Sequence, residues 1–166
     1  MPRKFDEFLS GRENAKKASA EREAATAAQQ QSLLRQAPGA WRELQNAVRV
    51  TAEGKQYKGV PFTWRAEGAY PASLMLQNIA ASFVQRSRDP VVFSVQFGGI
   101  PGNEPLWMQG PPKPEYLDIR FLGPDQWAIG FAKGALRTKG DGSAAEKICA
   151  ALVRYYDSFQ RSRHEF

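Results

Sequence analysis

The sequence predicts an α+β fold: an antiparallel sheet of about four to five strands with helices packed on one face, preceded by a long N-terminal helix. Three observations predict it. Residues 5–36 are rich in Ala, Glu, Gln, Lys and Arg, with no proline and only Gly11 to weaken a helix. Short runs of β-branched and aromatic residues follow, the clearest at 91–97 (Val-Val-Phe-Ser-Val-Gln-Phe). An apolar stripe at helical spacing, Ile148, Leu152, Tyr155 and Phe159, closes the chain.

Taken in order, the first helix carries its large apolar groups at its ends, Phe5, Phe8 and Leu9, then Leu33 and Leu34, with alanines between them. Such a helix buries little by itself, so residues 1–36 read as an appendage, either partner-binding or partly disordered, ahead of an α+β domain at 38–166. The Ala37-Pro38-Gly39 break predicts a handover to a second, shorter helix, in which Trp41, Leu44 and Val48 share one face and Gly54 marks the end. Residues 57–65 read as a strand that Pro61 confines to an edge or a bulge. Residues 71–86 fit both a helix face (Leu76, Ile79, Ala80, Phe83) and alternation, and their length and alanine content favour the helix.

After the strand at 91–97, the density of Pro and Gly over 98–114 predicts a loop, with a short strand around 106–108. Residues 116–122 and 126–132 alternate on either side of Gly123-Pro124-Asp125 and predict a hairpin. A Lys- and Gly-bearing connection over 133–142 then leads to Ser143-Ala-Ala-Glu146, which reads as a capping box opening the last helix.

Composition narrows the function classes. With 42% hydrophobic and 24% charged residues the chain can build a core. It has no apolar run long enough for a membrane helix and no apolar signal core at its start, so no membrane association is expected. A single cysteine, Cys149, forms no internal disulfide, which points to a reducing compartment and a cytoplasmic location. The formal charge of +6 favours acidic partners.

Catalytic chemistry is poorly supplied. His164, the sole histidine, is the third residue from the end, and Cys149 has no general base beside it in sequence. CxxC, HExxH and EF-hand patterns are missing, so neither a metal nor a cofactor is expected, and no catalytic residue is assigned. The most suggestive local feature is the connection into the last helix, where Lys133, Arg137, Lys139, Ser143 and Lys147 surround a helix N-terminus and form a candidate anion or nucleic-acid site. It lacks the order of a P-loop. Trp107, in the Pro/Gly loop, is a candidate exposed aromatic.

The C-terminal half loosely resembles a double-stranded RNA-binding domain through Pro114-Glu-Tyr116, Gly123-Pro-Asp125 and Gly140-Asp-Gly-Ser143 opening a helix. That resemblance implies helix, strands and helix in order, and a nucleic-acid partner. The chain departs from it in having Ser-Ala-Ala-Glu-Lys147 where the family has a lysine-rich helix start, and Gln126 where the family has a histidine.

Three functions are therefore expected in descending order. The first is a non-catalytic protein–protein interaction or assembly module, engaging another protein chain or a second copy through Phe5, Phe8, Leu9, Leu33 and Leu34. Next comes a basic nucleic-acid-binding protein, and last a small-ligand binder or enzyme with a pocket between sheet and C-terminal helix lined by Trp127, Phe131, Tyr155 and Tyr156.

Overall fold

The computed structural model of the chain describes residues 2–102, 113–131 and 134–164, with the side chains at 2–3, 131–137 and 161–164 left undescribed. The expected short strand at 106–108 and the exposed Trp107 lie outside the described residues. The chain divides into two compact units, Met1–Arg35 and Gln36–Phe166.

The first unit is helical. It belongs to α1, which spans Pro2–Ala52 and runs through Pro38 without the expected break. Proline forfeits one backbone hydrogen bond and usually kinks a helix interior. Here its two sides are held helical by different means. Residues up to 36 are mostly strong helix formers, and Ala37, Trp41, Leu44, Val48 and Ala52 form a buried stripe that begins just before it and continues beyond.

The second unit is an antiparallel meander whose eight described strands are hydrogen-bonded in sequence order, closed by helix α2 at Asp141–His164. The strands are β1 (Gln56–Tyr57), β2 (Val60–Arg65), β3 (Ser73–Leu76), β4 (Ile79–Val84), β5 (Val92–Gly99), β6 (Glu115–Gly123), β7 (Gln126–Phe131) and β8 (Gly134–Lys139). The α+β class and the long N-terminal helix are as expected, but the sheet is larger than four to five strands.

Three misread segments account for the difference. The expected single strand at 57–65 is a hairpin, turning at Lys58 and Gly59 with φ of 50° and 81°. Residues 71–86 are not a helix but β3 and β4, which pair Leu76 with Ile79 around Gln77-Asn78, with φ of 58° at Gln77. Both strands are buried almost throughout, so neither shows clean alternation. Finally, most of the expected connection at 133–142 is β8, paired along β7 from Phe131↔Gly134 to Gln126↔Lys139.

Strand register explains the core. Across the sheet, Trp64↔Leu74↔Ala81↔Phe97 and Phe83↔Val95↔Leu117 are level partners, as are Phe93↔Ile119↔Ile129 and Phe121↔Trp127. One face is thus apolar from β2 to β7, as period-two side chains require. Trp41 of α1 stacks on Phe93 at 4.5 Å between ring centroids and meets Phe83 edge-on at 5.5 Å. On α2, the ring of Tyr155 lies 5.9 Å from Phe97.

The other face alternates in with small or polar groups, among them Ser73, Ala80, Ser82 and Ser94, all buried. The Ser73 hydroxyl donates to the Pro71 carbonyl at 3.0 Å and shares a hydrogen bond with the Ser82 hydroxyl at 3.0 Å, so these buried polar groups are partnered.

Candidate functional site

Most of the exposed large apolar side chains among the described residues lie on the N-terminal helix. Phe5, Phe8 and Leu9 are 64%, 57% and 45% exposed, and Leu34 is 43% exposed. Leu33 is half-buried. All described side chains from residue 4 to 31 are exposed, so helix propensity and contacts along the helix itself hold this stretch. Among the latter, the Arg12 guanidinium lies 5.8 Å from the Phe8 ring centroid, one turn back, and the Thr26 hydroxyl donates to the Arg22 carbonyl at 2.9 Å.

The junction of β8 and α2 holds the predicted anion candidates. Lys133 lies outside the described residues, and Arg137 is placed in β8 by its backbone alone. Lys139 and Ser143 are exposed, while Lys147 is half-buried; the last two stand four residues apart and share a face of α2. Helix α2 begins at Asp141, two residues before the expected capping box, so Ser143 lies inside the first turn.

Gly140 makes the entry with φ of 93°, its N–H donating to the Asp125 carbonyl at 2.6 Å. The Asp141 carboxylate accepts from the Trp127 indole at 2.9 Å. A carboxylate in the first turn satisfies the positive end of the helix dipole and repels an incoming anion.

Two polar clusters had no sequence signal because their members are far apart in the chain. In the first, Asp157 of α2 accepts from the Tyr57 hydroxyl at 2.6 Å and pairs with Lys58 at 3.3 Å. The hydrogen bond to Asp157 holds both the Tyr57 and Lys58 protonation equilibria above their ordinary values. Beside it, Tyr156 donates to the Gln77 side chain at 2.7 Å. These contacts fasten the β1–β2 and β3–β4 turns to α2. In the second cluster, Asp118 accepts from Ser94 at 2.8 Å and pairs with Arg86 at 3.3 Å, whose guanidinium lies 3.8 Å from the centroid of the Tyr116 ring.

Among the described residues there is no group of three or more His, Cys, Asp or Glu able to hold a metal. Burial pushes the Cys149 thiol up to about 11, away from nucleophilic use.

Of the four residues expected to line a pocket between sheet and last helix, Trp127, Tyr155 and Tyr156 are buried and hydrogen-bonded. Phe131's side chain is not described. Two other open clefts exist. One, of about 300 Å³, is lined by Arg49, Glu53, Phe62, Trp64 and Leu74. The second, of about 360 Å³, has Trp41, Phe83 and Phe93 in its walls with Arg42, Gln45 and Glu67. No helix among the described residues is long and apolar enough to cross a membrane. Compared with protein-family models, with curated proteins and with solved structures, the chain gives no match.

Proposed function

We propose that the protein is a non-catalytic assembly module whose N-terminal helix pairs with a helix of another protein chain. The observation that carries this reading is the exposure of every described side chain from residue 4 to 31, with Phe5, Phe8 and Leu9 together at one end. Burying a Phe or Leu side chain contributes about 1.5–3 kcal/mol, so a helical partner covering this end gains several such terms. The alanine-rich middle lets two helices approach closely.

Nucleic-acid binding is supported less. The net charge is +6, but acids stand among the bases of the helix at Asp6, Glu7, Glu13, Glu21 and Glu23, and Asp141 occupies the start of α2.

Amide hydrogen exchange across a concentration series tests the proposal. Pairing predicts that amides of residues 4–31 become slower to exchange as protein concentration rises, while those of the sheet stay constant. Exchange at the coil rate at every concentration would count against it.

A further inference from the structure

The assembly reading leaves the partner open, and the residues along the helix select one. Helical spacing puts residues 5, 8, 12, 15/16, 19, 23, 26, 30 and 33/34 on one stripe. This stripe joins both apolar ends and has Arg12 set against Phe8. Its other ionised members are Lys16 and Glu23.

We infer that the partner is a second copy of this chain, its N-terminal helix running antiparallel with Phe8 opposite Leu34 of the other copy. This rests on the assembly reading above. In that register Leu9 faces Leu33 and Ala15 faces Ala27, over an overlap of about 39 Å from residue 8 to 34 at 1.5 Å per residue. Arg12 meets the neutral Gln30, and Lys16 meets Thr26. Glu23 of the other copy then lies three residues from the level of Lys16, about 4.5 Å along the axis, within reach of a lysine side chain. The two-fold axis repeats each of these pairs, closing the assembly at two chains.

A parallel, in-register pair does the opposite. It sets Arg12 against Arg12, Lys16 against Lys16 and Glu23 against Glu23 along the same seam, and like charges at such positions are destabilising. The antiparallel register keeps the two Glu23 about 6 Å apart along the axis and each nearer to a Lys16, so charge and apolar pattern together favour that arrangement.

Disulfide trapping distinguishes the arrangements without removing an apolar contact. In a Cys149→Ala background, Arg12→Cys and Gln30→Cys are made as separate full-length chains and oxidised singly and as a mixture. The antiparallel pair predicts cross-linked dimer in the mixture and little from either chain alone. Self-cross-linking of a single variant shows a parallel pair and overturns the inference while leaving assembly intact. Absence of cross-links in a sample whose mass has doubled overturns it too, by placing the interface elsewhere. A sample that stays at the mass of one chain removes both the inference and the assembly reading. As a second measure, Lys16→Glu and Glu23→Lys should each weaken dimerisation roughly three- to ten-fold, as expected for two lost ion pairs, and their combination should restore it. Lack of restoration contradicts the register.

Discussion

Trp41 shows how much one residue can decide. It stands on the helix stripe Ala37, Trp41, Leu44, Val48, and its ring stacks on Phe93 and touches Phe83 and Trp127. Trp41→Ala removes the aromatic link between α1 and the sheet, and large-to-small changes of this kind cost about 3–5 kcal/mol. Thermal unfolding should show a correspondingly lower midpoint; a change under about 1 kcal/mol would mean that α1 is not packed as described. Cys149 makes a different case. With its thiol at about 11 through burial, only about one molecule in a thousand carries thiolate at pH 8, so a thiol reagent should react slowly with folded protein and rapidly after unfolding. Fast reaction of the folded chain would refute that burial.

Tyr155, pushed up to about 12 by burial and by Glu115, adds a pH dependence of the same sign. Both groups keep their protons in the folded state at pH values where the unfolded chain releases them. Their contribution is whole below the ordinary values of 9.0 and 10.0 and drains away as pH rises toward about 11 and 12. Denaturant midpoints should therefore fall with pH above about 9, and Tyr155→Phe should flatten the part of the fall above about pH 10.

At the scale of elements, legibility followed how far each signal reaches along the chain. The β6–β7 hairpin was readable because Gly123-Pro-Asp125 is a turn written in adjacent residues, and Asp125 takes φ of 59° there. By contrast, β3 and β4 were hidden. Their turn, Gln77-Asn78, uses a positive φ at a non-glycine residue, and burial of both strands erases the alternation that distinguishes strand from helix. β8 was obscured by the glycines and lysines of 133–142, which resemble a connection unless the partner strand β7 is known.

The sequence alone divides α1 in two because Pro38 is a local stop, whereas the buried stripe that overrides it is a tertiary effect. That override has a measurable cost. Pro38→Ala supplies the missing N–H and relieves the ring clash, so it should stabilise the chain by up to about 3 kcal/mol, read from a denaturant midpoint. An unchanged or lowered midpoint would show that the proline is accommodated without cost. The site residues divided in the same way. The exposed helix positions could be listed from the sequence, while the Asp157 cluster needed residues a hundred positions apart to be brought together.

For the whole molecule, the division at Arg35 and Gln36 separates a helical unit with exposed apolar groups from a unit with its own core. A chain beginning at Gln36 retains Ala37, Trp41, Leu44 and Val48, and with them the residues that cover the sheet. It should unfold cooperatively by itself, and it should lack the surface on which assembly depends. Sedimentation equilibrium of the full-length and shortened chains over a concentration series tests that claim most directly. The full-length chain is expected to rise to twice its mass with increasing concentration, and the chain beginning at Gln36 to stay at the mass of one. Full-length protein that remains a single chain throughout, or a shortened chain that associates equally well, would contradict it.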